Sequence, residues 1–187
     1  MLHEFNTYLD GIDSEFWAGL CREEGELRRY RKGEEFITIG KVAKYIGLIK
    51  SGSVKYVAYN SQMDEKIVGL ETIGGFAASW PFCLRRVASL VSIVANSDLE
   101  IYCLSAYKIN EMASKDLSFE RRIAHATEHV FYTAYERLIS FYTQSPKERY
   151  DFLLEKCPRV FEIFDLKDIA SYLNITPQHL SRLRRLQ

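Results

Sequence analysis

The spacing of apolar residues changes along this chain, and each spacing predicts a different kind of element. Between Phe36 and Leu104 the apolar residues come in short, roughly alternating runs. These are Phe36–Ile39, Tyr45–Ile49, Val54–Tyr59, Lys66–Leu70, Val91–Val94 and Leu99–Leu104. β-Branched and aromatic side chains on a two-residue period suit half-buried strands, and Gly33, Gly40, Gly52 and the Gly74–Gly75 pair punctuate them. Many short strands at this spacing predict an all-β sandwich or barrel. Ahead of them, Phe16, Leu20 and the charged run Arg22–Lys32 predict an amphipathic helix ending before Gly33, with a break available at Gly25.

From Leu117 to Thr143 there is neither Gly nor Pro, and the period becomes helical. Phe119, Ile123, Ala126, Val130, Ala134, Leu138 and Phe141 form one stripe, and Phe131, Tyr135, Ile139 and Tyr142 a second. Such a helix would be ~40 Å long. Two apolar faces need two covers. One is the β domain. The other is the same helix of a second subunit, which gives a two-fold dimer with the Phe119–Phe141 stripe as its seam. Both faces covered within one chain is the alternative.

Ser145-Pro146-Lys147-Glu148 restarts the chain with a hydroxyl cap, a first-turn proline and a capping-box glutamate. Tyr150, Phe152, Leu153 and Leu154 supply a small core. Asp165 is placed to cap the next short helix, with Asp168 in its first turn and Ile169, Ala170 and Leu173 on its buried face. Asn174 suits the left-handed conformation of a tight turn. Thr176 and Pro177 then open a second helix that buries Leu180 and Leu183. Gln178, His179, Ser181, Arg182, Arg184 and Arg185 are left facing outward. A start, a stop and a start, followed by an exposed Gln and Arg face, predict a helix-turn-helix that reads a DNA major groove. An ordinary αα-hairpin with a solvated basic face is the bland alternative. Gln178 and Arg182 are the expected base readers, and Thr176, Arg184 and Arg185 the expected phosphate contacts.

Formal net charge is zero, so DNA contact has to come from local charge. The tail from Thr176 onward provides it, with three arginines and no acid. Cys21, Cys83, Cys103 and Cys157 are scattered without a C-x-x-C pair, which fits free thiols in a reducing cytoplasm. No apolar run approaches ~20 residues, so no membrane contact is expected. His125-Ala126-Thr127-Glu128-His129 matches the H-x-x-E-H pattern of one metalloprotease class. It lacks an evident third ligand, and the remaining chain is occupied by the small C-terminal unit. No catalytic residue and no metal site is assigned. A β module that serves protein interaction or metal sensing without specific DNA binding is a further alternative, in which the basic tail is idle.

Lys32-Gly33-Glu34, Gly40, Leu48-Ile49 before Ser51-Gly52, the long helix, Glu148-Arg149-Tyr150, and Ile169-Ala170-Ser171-Tyr172-Leu173 through Ser181-Arg182 together resemble the Crp–Fnr family of transcription factors. The resemblance runs from about Tyr30 to Arg185. It implies an α+β chain in three parts. Residues 1–116 would form a cyclic-nucleotide-binding-like β-roll (a jelly roll) with N-terminal helices, 117–144 the dimerisation helix, and 145–187 the helix-turn-helix domain. It also implies a homodimer on a near-palindromic operator in double-stranded DNA, an effector at the β-roll, and contact with RNA polymerase if the output is activation.

At the effector site the sequence departs from the family. Where cyclic-nucleotide binders carry Gly-Glu-Leu for the ribose, this chain has Gly74-Gly75-Phe76. Where they carry Arg-Ser/Thr-Ala for the phosphate, it has Ser89-Leu90-Val91. Arg85 and Arg86 lie upstream as substitute phosphate ligands or plain loop arginines, and Thr133 falls near the family's base-contacting hydroxyl. Gly74, Gly75, Arg85, Arg86, Ser89 and Thr133 are thus the candidate effector residues. The cysteine cluster of the iron–sulfur branch is missing as well. No cofactor is expected. Cyclic AMP is expected to bind weakly or not at all, since its buried anion loses a charged partner at a cost of several kcal/mol. Micromolar binding in calorimetry would contradict this.

Overall fold

The computed structural model describes residues 13–185, so the ends of the two terminal units predicted above lie outside the described residues. Helix α1 (Ser14–Glu24) is capped by Asp13, whose carboxylate accepts the Phe16 N–H. Eight strands follow: β1 (Glu26–Tyr30), β2 (Glu35–Ile37), β3 (Tyr45–Ser51), β4 (Ser53–Tyr59), β5 (Glu65–Thr72), β6 (Phe76–Ala77), β7 (Ser92–Ala95) and β8 (Leu99–Ser105). They make two antiparallel sheets ordered β1-β8-β3-β6 and β2-β7-β4-β5. Leu99, Ile101 and Cys103 of β8 point inward in alternation, and Ile49, Ile93 and Leu104 complete the buried centre between the sheets.

Residues 26–30 are a strand, where the charged run predicts helix. The helix stops at Gly25, where the backbone turns extended (φ −93°, ψ 155°) with its N–H donating to the Cys21 carbonyl, and a Cβ there would lie 2.3 Å from that oxygen. The chain then pairs with β8 in register, from Glu26 opposite Cys103 to Tyr30 opposite Leu99. Arg29 Nε donates to Glu100 at 2.7 Å across that pair. Ladder hydrogen bonds outweigh a weak local helix preference.

Helix α2 (Ala106–Lys115), which the spacing does not predict, packs Ala106 and Ile109 into the roll. Helix α3 (Leu117–Thr143) starts at Asp116, whose carboxylate accepts the Ser118 N–H at 2.7 Å. Phe119 sits edge-to-face with Phe16 and Trp17, and Trp17 with Trp80, so the start of α3 is clamped to α1 and the roll. Helix α4 (Pro146–Lys156) carries the predicted capping box between Ser145 and Glu148. Helices α5 (Val160–Ile163), α6 (Leu166–Tyr172) and α7 (Pro177–Arg185) complete the chain. Tyr150 and Leu153 are buried as expected. Phe152 is instead exposed and lies under the Lys156 ammonium, because it falls on the solvent side of α4. Asp165 precedes α6 without a side-chain capping bond.

The C-terminal helices share a core with the roll. Ile169, Ala170, Leu153 and Val160 pack in one cluster with Val57 of β4 and Ile67 and Leu70 of β5. Strand β5 is an edge strand, and α6 covers it. The Ile67 N–H of that edge donates to Ser171 Oγ at 2.9 Å, which satisfies a backbone group the sheet leaves open. Lys55 Nζ donates to the buried Asp168 carboxylate at 2.9 Å, and Asn96 Nδ2 donates to the Ile163 carbonyl at 2.9 Å. Among the described residues no helix is long and apolar enough to cross a membrane.

The Lys55–Asp168 pair is largely out of water, so removing one partner strands the other charge. Asp168→Ala is expected to cost about 3 kcal/mol, and Lys55→Met with Asp168→Leu to recover most of it. Urea denaturation of the wild type and the two variants checks both halves of the statement.

Candidate nucleic-acid interface and effector cavity

The helix-turn-helix is built by local chemistry. Asn174 adopts φ 55° at the corner, and the Ile175 N–H donates back to the Ala170 carbonyl at 3.0 Å. Thr176 Oγ1 accepts the His179 N–H at 3.2 Å at the start of α7. Ala170, fully buried, gives room for the close approach of α6 and α7. Arg149 of α4 holds the turn from below, donating to the Leu173 carbonyl at 3.3 Å and to the Gln144 carbonyl at 2.6 Å. Burial lowers its guanidinium from the usual range.

Gln178, Arg182 and Arg185 are exposed and fall at i, i+4 and i+7 on one face of α7, with half-buried Ser181 beside them. Thr176 is exposed at the helix start, and His179 is half-buried. Arg184 lies apart from this face. Its guanidinium stands 4.3 Å over the Phe161 ring of α5, so it is held against the small domain. The packing of α7 against α5 decides that, and helical spacing alone cannot.

A cavity of about 360 Å³ lies between the roll, α3 and α6. Tyr56, Phe76, Trp80, Leu90, Ala126 and Val130 are among its walls, with Arg137 and Tyr172 at the end nearest the small domain. Arg137 donates to the Val68 carbonyl at 2.5 Å and to the Tyr172 carbonyl at 3.1 Å, and stacks 3.8 Å over the Tyr172 ring. Trp80 Nε1 donates to Thr127 Oγ1 at 3.0 Å, tying the roll to α3. Glu71 is a buried wall residue. Burial pushes its carboxyl well above the usual range, against a lowering hydrogen bond from the Thr72 N–H.

None of the six candidate effector residues lines this cavity. Gly74, at φ 83°, and Gly75 form the β5–β6 turn, where a Cβ on Gly75 would meet the Glu71 carboxyl. The wall is made a few residues later, by Ala78, Ser79 and Trp80. Arg85 and Arg86 are exposed in the following loop. Ser89 is buried and donates to the Val91 carbonyl, whereas its neighbours Leu90 and Val91 face the cavity. Thr133 Oγ1 donates back to the His129 carbonyl of its own helix. The motif positions were counted along the chain, whereas loop geometry decides which residues turn inward.

The Phe119–Phe141 stripe is corrected. Phe119 and Ala126 are buried against the roll, Val130 and Ala134 line the cavity, and Phe141 lies near the Arg137 and Arg149 guanidiniums. The open face of α3 carries Phe131, Tyr132, Tyr135, Leu138, Ile139 and Tyr142, with Phe131 and Tyr135 stacked at 5.9 Å. In the H-x-x-E-H segment His125 and Glu128 are exposed and His129 is half-buried. Among the described residues no group of three or more His, Cys, Asp or Glu side chains is placed to hold a metal.

Residues 27–116 match the cyclic nucleotide-binding domain family. The structure superposes on FixK2 from Bradyrhizobium japonicum at 20% identity and TM-score 0.73, covering 87% of this chain and 83% of that one. The roll, long helix and C-terminal helices are thus matched together. The β-roll thus resembles a cyclic nucleotide-binding domain, and the chain shares the fold of these structures. A Crp/Fnr-family transcriptional regulator from Thermus thermophilus is similar at 15% identity and TM-score 0.61, over 84% of this chain and 83% of its own. The c-di-GMP-responsive global regulator CLP from Xanthomonas campestris shares the Crp–Fnr fold at 16% identity and TM-score 0.65, over 94% and 92%. No curated protein matches the chain by sequence.

Because the folded chain holds the Glu71 proton to higher pH than the unfolded chain does, this group favours folding fully below its ordinary value of 4.5. That contribution is lost as pH rises toward the folded value. Glu71→Gln is therefore expected to gain stability relative to wild type as pH goes from about 5 to about 8, with the sign set by linkage. Paired urea titrations read the difference, and a pH-independent difference contradicts the assignment.

Proposed function

We propose that this chain is a DNA-binding transcriptional regulator that acts as a homodimer on a near-palindromic operator, with an effector taken up at the roll. Its three parts are the roll through residue 116, the dimerisation helix 117–144, and the reading unit 145–187. The observation that carries the proposal is the exposed Gln178, Arg182 and Arg185 face of α7, presented by a capped helix-turn-helix. Arg182 offers a planar fork for guanine O6 and N7, Gln178 a donor and acceptor for adenine, and Arg185 a charge for phosphate. Thr176 and the backbone N–H groups at the start of α7 suit a phosphate. Arg184 contributes charge near the groove only by leaving Phe161.

The aromatic ridge on α3 supports the dimer. A contiguous apolar strip on a helix of 27 residues is costly to leave in water, and a two-fold axis lets it cover itself. The outputs follow from the class of protein: double-stranded DNA as partner, and RNA polymerase where binding activates.

Selection of bound sequences from random duplex DNA tests the reading. Two half-sites about one helical turn, ~34 Å, apart are expected. Arg182→Ala is expected to cost about 1–3 kcal/mol per half-site and to relax preference at one base pair. Arg185→Ala weakens binding to all sequences and lowers the salt slope by about one. Unchanged affinity and base preference in Arg182→Ala would remove the recognition helix from the reading. For the dimer, Ile139→Glu is expected to give monomers at micromolar concentration by sedimentation, since it sets like charges across the seam. A variant that stays dimeric points to another interface.

A further inference from the structure

The cavity has the size of a small-molecule site but the wrong chemistry for a nucleotide. Its volume of about 360 Å³ falls within the ordinary range for ligand pockets. The walls are mostly hydrocarbon and aromatic ring, from Phe76, Trp80, Leu90 and Val130. Arg137 is the one cation lining it among the described residues. Its guanidinium already donates to the Val68 and Tyr172 carbonyls and lies on the Tyr172 ring. An anion bound here would be stripped of water with its only counter-charge otherwise engaged. Glu71 supplies no positive charge in either protonation state.

One polar group at the wall has room for a ligand. Ser79 is 5% exposed, and its hydroxyl makes no hydrogen bond among the described residues. A hydroxyl donates one hydrogen bond and accepts others, so it recognises a hydroxyl or a carbonyl without asking for charge. Other polar groups of the wall have duties: Tyr56 donates to the Phe76 carbonyl, Trp80 donates to Thr127, and the Glu71 carboxyl accepts the Thr72 N–H.

We infer that this cavity binds an uncharged amphiphile, a hydrocarbon or aromatic body carrying one hydroxyl or carbonyl group that meets Ser79. This rests on the reading of the chain as an effector-responsive regulator and names the class of effector. It also states how occupancy reaches the DNA-reading unit. Tyr172 is both a wall of the cavity and the last residue of α6, the first helix of the helix-turn-helix. An occupant therefore touches the reading unit directly, beside the Arg137 contacts that hold it to β5.

The test uses the full chain without DNA and the uncharged fluorophore N-phenyl-1-naphthylamine, displaced in turn by 1-decanol, decanoate and cyclic AMP. Saturable binding of one fluorophore per chain is expected, with 1-decanol displacing it at concentrations about tenfold or more below decanoate and below cyclic AMP. Val130→Trp fills the cavity and is expected to weaken the fluorophore and 1-decanol by about tenfold or more. Ser79→Ala removes one hydrogen bond and is expected to weaken 1-decanol about fivefold while leaving the fluorophore unchanged. It changes a single oxygen atom, so it stands as the readout if the tryptophan variant does not fold. Displacement by decanoate or cyclic AMP as strong as by 1-decanol overturns the inference. So does a lack of saturable binding, or an Ser79→Ala variant that weakens both probes equally. Because DNA is absent, these failures leave the operator reading standing, and a failed operator selection leaves this binding result standing.

Discussion

The long helix α3 has two apolar faces and only one roll to lie against, and most of the molecule follows from which face the roll takes. The roll takes the face with small residues. Ala126 lets the helix backbone approach, Phe119 plugs the aromatic cluster of Phe16, Trp17 and Trp80, and Val130 and Ala134 are left beside a space that their neighbours do not fill. The cavity is the gap left between this helix and the roll. The larger side chains, Phe131, Tyr132, Tyr135 and Tyr142, are turned to the other side by the same choice. The open aromatic face and the cavity thus come from one packing decision.

The second consequence lies at the far end of the same helix. Arg137 stands where α3, β5 and α6 converge, and its planar guanidinium serves two carbonyls and one ring at once. Around it, the contact between roll and reading unit is a mixed one: a shared apolar cluster, an ion pair at Lys55–Asp168, and an edge-strand amide bonded to Ser171. Edge strands left open invite other partners, and here α6 closes one. The reading unit is therefore held by contacts whose loss would expose an apolar patch on both sides.

The site residues divide by how local their causes are. Asn174 at a left-handed corner, Thr176 capping α7 and the Ser145–Glu148 capping box each need only a few neighbouring residues, and each was legible along the chain. So was the exposure of Gln178 and Arg182, since Leu180 and Leu183 fix the buried side of α7. The cavity wall was not legible. Gly74, Arg85, Ser89 and Thr133 lie outside it, and the irregular loop shape that brings Ser79 and Leu90 to the wall has no local sequence signal. Arg184 looked like its neighbours in sequence, and only the Phe161 ring sets it apart.

By itself the sequence determined the elements whose stabilising contacts lie within about one turn or one strand: the strands of the roll, the length of α3, and the capped helices of the reading unit. Tertiary structure decided what depends on a distant partner. Residues 26–30 became strand because β8 offered a ladder. Phe119 and Ala126 faced the roll rather than a second subunit, because the roll presents an aromatic recess to them. Asp168 became half of an ion pair because β4 brings Lys55 to it across 113 residues. Hydrophobic burial has no direction along the chain, so periodicity names the faces that need cover and leaves the choice of cover to the fold.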